Sequence, residues 1–143
     1  MQQPVLLLVE DSEDDAFFFC RTFQKSGAGL FIHHVKNGAA AIEFLGQSSA
    51  AGSLPRIMFL DLKMPVMNGF ELLAWMRKQT YGKQIPVIVL SGSDHQNDID
   101  RASQLGAVCY LVKPATTDDL RRLLQTFAGD IEIPDLLGKG VSS

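Results

Sequence analysis

Cysteine is scarce in this sequence, and long apolar runs are missing from it. The two cysteines, Cys20 and Cys109, lie far apart and match no metal-ligand spacing, so we expect both to be packing residues. No apolar stretch approaches the roughly 18 residues of a membrane span, and no secretion signal is visible before the first apolar run. We therefore expect a cytoplasmic protein with no membrane partner.

An excess of basic residues is also missing, which bears on nucleic-acid binding. Lys and Arg number 13 against 16 Asp and Glu, and the formal net charge is -3. Domains that bind nucleic acid usually present clustered Lys and Arg on one face, so we expect no nucleic-acid partner. The length of 143 residues and a hydrophobic content of 46% suit one folded domain.

What the sequence does contain is a regular alternation of strand-like and helix-like segments. Short apolar runs of strand length occupy residues 5–9, 30–35, 57–60, 87–90 and 109–112. Segments with helical periodicity lie between and after them, at residues 14–25, 38–45, 68–78, 96–105 and 117–127. Strands that are apolar on both faces need helices on both sides, so the pattern predicts a three-layer α/β open sandwich with a five-stranded parallel sheet.

Several residues predict where the helices begin and end. Gly27, Gly46 and Gly106 follow helical patterns and are typical helix stops, and Ser93 or Asp94 is a candidate cap for the fourth helix. Residues 47–55 and the end after residue 138 have loop-like composition. In the first helix, Phe17 points away from the expected buried face, either as a half-covered boundary residue or as part of a partner surface.

Polar residues stand at the carboxyl ends of four of the predicted strands. They are Glu10 and Asp11 after the first, Asp61 after the third, Ser91 after the fourth and Lys113 after the fifth. Open α/β sheets bind ligands at this edge, so one site can collect all five side chains. Each residue also has a plainer interpretation, as a helix cap, a turn residue or a solvated lysine.

Three converging carboxylates require a cation, because their charges otherwise repel and raise at least one pKa. Oxygen ligands of this kind suit Mg²⁺. Lys113 can then supply a positive charge to a phosphoryl oxygen and Ser91 a hydroxyl donor. Phosphoryl transfer needs mainly alignment and charge neutralisation, and Asp61 is the candidate nucleophile that forms an aspartyl phosphate.

These motifs resemble the response regulator receiver family of the CheY-like superfamily. The segments VLLLVEDSEDD, IMFLDLKMPVMNGFELL, VIVLSGS and QLGAVCYLVKP occur in the order and spacing of that family, over residues 4–127. The resemblance implies a flavodoxin-like fold with strand order 2-1-3-4-5. It also implies Asp61 as the phosphoacceptor, a histidine kinase as phosphodonor, and a cis bond between Lys113 and Pro114.

The resemblance further implies a ligand set and a switch. The Mg²⁺ ligands, with Mn²⁺ as a substitute, are Glu10 directly or through water, Asp11, Asp61 and the backbone carbonyl of Lys63. Ser91 and Tyr110 take the switch positions, so that phosphorylation shifts the population toward a conformer with a remodelled surface at the fourth helix and fifth strand. Tyr110 is alternatively an ordinary strand aromatic.

Lys63 departs from the usual family pattern. Its flexible cation can pair with Glu10 or with a phosphoryl oxygen, and we predict an altered lifetime of the phosphoryl group. The alternative is that Lys63 points to solvent.

A looser likeness links the chain to single-domain regulators associated with bacterial phytochrome kinases. It rests on the loop near residues 48–55, the connection QTYGKQIPVIVL and the tail DIEIPDLL. We expect a stand-alone receiver domain over residues 1–129 and a C-terminal extension over residues 130–143. The apolar residues of the extension, Ile131, Ile133, Leu136 and Leu137, either pack on the domain or support a homodimer.

Two other function classes share part of this pattern. Phosphatases of the haloacid dehalogenase type also use Asp, Ser or Thr, Lys and Mg²⁺, but they place a second Asp where this chain has Lys63. A flavodoxin-like nucleotide carrier is disfavoured because neither G-x-x-x-x-G-K-[ST] nor G-x-G-x-x-G is complete. His33, His34 and His95 lack zinc spacing. We expect a regulator that catalyses phosphoryl transfer to its own Asp61 and the slow hydrolysis of the resulting aspartyl phosphate, and not a dedicated enzyme.

Overall fold

A computed structural model describes residues 3–129 and residue 131 of the chain. Within this part, five strands and five α-helices alternate along the sequence, with one 3-10 turn at Gly82–Gln84. The strands are β1 Val5–Val9, β2 Phe31–Val35, β3 Ile57–Leu60, β4 Val87–Ser91 and β5 Cys109–Val112. The helices are α1 Glu13–Ser26, α2 Gly38–Ala51, α3 Gly69–Arg77, α4 Gln96–Gln104 and α5 Thr117–Phe127.

The five strands form one parallel sheet in the order β2-β1-β3-β4-β5. This arrangement confirms the predicted α/β sandwich and the strand order that the family resemblance implies. The register aligns Val9 with Leu60 and Ser91 with Val112, so the carboxyl ends of β1 and β3, and those of β4 and β5, lie side by side. The Lys113–Pro114 peptide is cis, as the resemblance also implies.

Each face of the sheet has its own apolar core. Because strand side chains alternate between faces, Leu7 and Leu60 pack with residues of α2, α3 and α4, whereas Leu8 and Phe59 pack with residues of α1 and α5. The rings of Phe19 on α1 and Phe59 on β3 lie 4.9 Å apart between centroids. These two layers hold the strand ends in fixed positions.

The second helix is longer than predicted. It continues through Gly46 to Ala51 and is capped by Gly52, which has a φ of 71°. The interpretation of Gly46 as a helix stop and of residues 47–51 as a loop was therefore wrong. Gly46 lies on the exposed face, while Leu45 and Ser48 are buried against the domain. The helix tolerates the glycine, which costs about 1 kcal/mol relative to alanine, because packing on the other face continues.

The cap predicted for the fourth helix was also wrong. The N-cap residue of α4 is His95, without a side-chain cap hydrogen bond. Ser93 acts instead within the preceding loop, where its Oγ accepts a hydrogen bond from the His95 backbone N at 3.2 Å and donates one to Asp98 at 3.3 Å. Gly27 ends α1 in the left-handed region, as predicted.

The C-terminal extension lies almost entirely outside the described residues, including Ile133, Leu136 and Leu137. Ile131 is described, and it packs partly buried against the core between the sheet and helices α1 and α5. None of the described helices has the length and apolar character needed to cross a membrane.

Candidate functional site

The carboxyl ends of the strands carry the polar residues that the sequence singled out. Glu10 and Asp61 directly follow β1 and β3, Ser91 is the last residue of β4, and Lys113 directly follows β5. Glu10, Asp61 and Ser91 are buried. The backbone helps to fix this edge, since Asp61 N donates to Val9 O at 3.0 Å and Lys113 N donates to Ser91 O at 2.8 Å.

Three carboxylates meet at this edge of the sheet. One oxygen each from Glu10, Asp11 and Asp61 lies within 4.8 Å of the others, and this is the single group of three or more potential His, Cys, Asp or Glu ligands among the described residues. Glu10 is 1% exposed and Asp61 is 6% exposed, whereas Asp11 faces solvent. An all-oxygen set with one solvent-facing member fits a hard divalent cation that keeps several waters, so the cluster could hold a metal ion.

The environment of Asp61 opposes its negative charge. Burial, and then the negative charge of Glu10, raise the pKa of Asp61 from its ordinary value of 3.8 to about 7. The positive charge of Lys113 and a hydrogen bond from the Lys63 backbone N act in the opposite direction without overcoming them. A bound cation would relieve this repulsion, which is the physical reason that the three carboxylates fit a metal.

Lys113 provides the positive charge of the site. Its Nζ lies 2.7 Å from Glu10 Oε1, 2.7 Å from Asp15 Oδ2 and 3.6 Å from Asp61 Oδ1. Burial by itself would lower the pKa of Lys113, but the hydrogen bonds to Asp15 and Glu10 and the nearby charges outweigh it and raise this pKa. Lys113 is therefore a firmly protonated group directed at the acidic cluster.

Asp15 is a contact of Lys113 that the sequence reasoning missed. It lies in the first turn of α1, where an acidic residue is expected simply because it favours the helix N-terminus. Its partner is 98 positions away along the chain. No local spacing pattern could have revealed this pair, since the contact depends on how α1 packs beside the segment that follows β5.

Ser91 and Tyr110 are connected through the loop between β4 and α4. The Ser91 Oγ accepts a hydrogen bond from Ser93 N at 3.2 Å, and the Tyr110 hydroxyl donates to Ser93 O at 2.6 Å. Tyr110 is half-buried. Ser93 thus connects the two residues predicted to act as a switch. The positions of Ser91 and Tyr110 in the sequence did not indicate this connection.

Of the two partners considered for Lys63, Glu10 is not contacted in this structure. The Lys63 side chain is exposed and forms no ion pair with any residue in the described part of the chain, while the Glu10 carboxylate is held by Lys113 and by Ser12 N. The effect of Lys63 on phosphoryl lifetime and the role of its carbonyl as a ligand stay predictions. His34 has a structural contact here, as its ring Nε2 lies 2.8 Å from Glu10 O.

Comparison with known proteins places the chain near response regulators. A family model described as "Response regulator receiver domain" matches residues 6–125. The chain is 34% identical over 122 residues to the probable methanogenesis regulatory protein FilR2 of Methanothrix harundinacea (strain 6Ac), a match that covers 85% of this chain and 79% of that protein. It is 33% identical over 123 residues to response regulator Rcp1 of Synechocystis sp., covering 85% and 84%.

Two solved structures are similar over nearly their whole length. The Mn²⁺-bound form of Rcp1 superposes with a TM-score of 0.71 at 30% identity, covering 92% of this chain and 99% of that chain. The phosphorylated cyanobacterial phytochrome response regulator RcpA superposes with a TM-score of 0.76 at 28% identity, covering 94% and 100%.

Proposed function

The chain belongs to the response regulator receiver domain family, and on that premise we propose that Asp61 accepts a phosphoryl group from a histidine kinase and thereby switches a protein-binding surface. The observation that carries this proposal is the position of Asp61. Its buried carboxylate directly follows β3 and lies among two further carboxylates, with the Lys113 ammonium 3.6 Å away. This combination suits a nucleophile that must carry a doubly charged group.

The proposed reaction is a transfer between two covalent carriers. An Asp61 carboxylate oxygen forms a bond to phosphorus while the nitrogen–phosphorus bond of a phosphohistidine breaks, and the imidazole leaves with the electron pair. The product is an acyl phosphate on Asp61. Lys113 offers a charge-assisted hydrogen bond to one phosphoryl oxygen and Ser91 a hydroxyl hydrogen to another.

We assign the metal ligands to Glu10, Asp11, Asp61 and the backbone carbonyl of Lys63, with Mg²⁺ as the ion and Mn²⁺ as a substitute. When bound, the ion neutralises negative charge on the carboxylates and on the transferred phosphoryl oxygens. The oxygen chemistry of the cluster and the raised pKa of Asp61 support the assignment, and the similar Rcp1 has been crystallised with Mn²⁺.

The proposed switch uses the connection between Ser91, Ser93 and Tyr110. A movement of Ser91 toward a phosphoryl group pulls on Ser93, and Ser93 holds both the Tyr110 hydroxyl and the start of α4. Phosphorylation therefore changes the relative populations of two arrangements of the α4 and β5 surface. We expect a protein partner to bind the altered surface, and we expect no turnover of an external substrate.

For the phosphodonor we propose a histidine kinase of the bacterial phytochrome type. The support is the similarity to Rcp1 and to a phytochrome response regulator over most of the chain. Because such a kinase uses ATP, the proposal locates the encounter in the cytoplasm. A homodimer is part of the same proposal, and a comparison of the mass in solution before and after phosphorylation tests it.

Intact mass measurement tests the proposed function directly. We expect incubation with acetyl phosphate and Mg²⁺ to add one phosphoryl group to the wild type and none to Asp61→Asn. Asp118→Asn makes the same chemical change at an exposed position on α5 and should accept the group as the wild type does. Equal labelling of wild type and Asp61→Asn, or labelling that persists with excess chelator, would contradict the proposal.

A further inference from the structure

The Lys113 ammonium is held from two sides by carboxylates of different elements. Glu10 follows β1 and Asp15 belongs to α1, and each places a carboxylate oxygen 2.7 Å from Nζ. Asp61 is farther away, at 3.6 Å. An ammonium has three hydrogens to donate, so these two bonds leave one hydrogen for the direction of Asp61.

Asp15 is well placed to fix the lysine because it sits on a rigid part of the fold. Its backbone N donates to the Ser12 side chain, which caps α1, and the neighbouring Ala16 and Phe19 are buried in the core. Lys113, in contrast, has a flexible four-carbon stem whose ordering costs entropy. Helix α1 therefore holds the Asp15 carboxylate in a fixed position, to which the flexible lysine side chain binds.

The space around the pair shows what the lysine could do without Asp15. Asp15 and Lys113 line a cavity of about 370 Å³ between α1 and the segment after β5, together with Phe18, Leu90 and Pro114. Apart from Asp15, the lining side chains offer the ammonium no carboxylate. With Asp15 removed, Glu10 would be the one carboxylate left at 2.7 Å from the ammonium, and the stem would gain freedom to rotate toward this cavity.

Asp15 is also separate from the carboxylates that could hold a metal. The group with mutually close oxygens consists of Glu10, Asp11 and Asp61. Any influence of Asp15 on the chemistry is therefore exerted through Lys113.

We propose that Asp15 is a positioning residue that holds the Lys113 ammonium in the orientation from which it contacts a phosphoryl group on Asp61. This inference rests on the proposed function. It adds a residue of α1 to the phosphorylation site, and it makes the orientation of α1 relative to β5 a determinant of the phosphorylation rate.

The rate of phosphorylation by acetyl phosphate tests the proposal without a docking partner. We expect Asp15→Ala to lower the initial rate about tenfold, the lower end of what supporting residues contribute in metal sites. Asp15→Asn retains an oxygen acceptor, so its initial rate should fall less than that of Asp15→Ala. Asp14→Ala is the matched control, because Asp14 is an exposed acid in the same helical turn, and it should keep the wild-type rate.

A spectroscopic readout separates positioning from a general structural effect. In protein labelled with ¹³C-lysine, a held Lys113 gives two distinct Hε resonances, identified by their loss in Lys113→Arg. We expect this pair to merge in Asp15→Ala and to stay separate in Asp14→Ala. All variants should retain the wild-type thermal midpoint within a few degrees, since Asp15 is nearly half exposed.

Two results would overturn the inference. One is an unchanged or increased rate in Asp15→Ala, and the other is an unchanged pair of Lys113 resonances in that variant. A wild type that accepts no phosphoryl group would instead contradict the proposed function, and the resonances would still report whether Asp15 holds the lysine.

Discussion

The interior of the sheet and its carboxyl edge differ sharply in chemical character, although the residues compared are adjacent in the sequence. Val9 and Leu60 are fully buried apolar residues, and Glu10 and Asp61, the next residues along each strand, are almost as buried but ionisable. Burial of apolar surface stabilises the fold, whereas burial of a carboxylate costs free energy unless it is compensated. The same strands therefore supply stability in the interior and chemistry at the end.

Two carboxylates on this side of the molecule show how much the surroundings matter. Burial raises the pKa of Asp61. Asp119, in the first turn of α5, has a pKa below its ordinary value because the Thr116 backbone N donates a hydrogen bond to it. The first arrangement favours a proton or a cation, and the second favours the bare carboxylate.

The largest effect is expected in the sheet interior. Phe59 is fully buried in β3 and packs on Phe19, so Phe59→Ala should lower the free energy of unfolding by about 3–5 kcal/mol. Urea unfolding measures the change. Phe17→Ala removes a ring that is 61% exposed and should change stability by about 0.5 kcal/mol or less. Equal losses in the two variants would contradict the contrast between core and surface.

A substitution at the carboxyl edge should have the opposite sign. In metal-free protein, Asp61→Asn removes a carboxylate that burial and Glu10 disfavour, and we expect it to raise the free energy of unfolding at pH 7 by up to about 3 kcal/mol. Because the folded pKa is raised, wild-type stability falls as pH rises from 3.8 to about 7.

The stability difference between Asp61→Asn and wild type should therefore grow across that pH range and stay constant above it. Urea unfolding at several pH values in excess chelator measures the difference, and Asp118→Asn serves as the control. A variant less stable than wild type at pH 7 would show that Asp61 is compensated in the metal-free protein.

Metal binding should offset part of the free-energy cost of burying the Asp61 carboxylate. If the acidic cluster binds Mg²⁺, a concentration ten times the dissociation constant stabilises the wild type by about 1.4 kcal/mol. Thermal unfolding with increasing MgCl₂ measures the shift. Asp61→Asn, which lacks one ligand, should shift much less, and an equal shift in both proteins would indicate a nonspecific salt effect.

The smallest effect is expected at the first turn of α5. Thr116 and Asp119 exchange side-chain and backbone hydrogen bonds in a capping box, so Asp119→Ala should cost about 1 kcal/mol near neutral pH. Because the folded pKa of Asp119 is lowered, this contribution is present above pH 3.8 and lost as pH falls below it.

Urea unfolding from pH 5 downward should show the difference between wild type and Asp119→Ala shrinking below pH 4. Asp118→Ala, in the same turn but outside the capping box, should show no such trend. A pH-independent difference would mean that the Asp119 carboxylate is not the source of the stabilisation.

Most elements of the fold were predictable because their signals are local. The bounds of β5 and α5 agree with the predicted residues 109–112 and 117–127. The error in α2 arose at Gly46, where a residue typical of helix ends lies on an exposed helix face. Propensity is a weak signal, and the packing of Leu45 and Ser48 on the other face overrides it.

The sequence by itself determined which residues end the buried strands, since the apolar runs and the polar residues after them are adjacent in the chain. Only the tertiary structure decided that Lys113, and not Lys63, forms the ion pair with Glu10, and that Asp15 is the second partner of Lys113. It also decided that burial and the charge of Glu10 raise the pKa of Asp61 to about 7. Coulomb interactions and desolvation depend on distances through space between distant parts of the chain. Those distances are set by how the helices pack on the sheet.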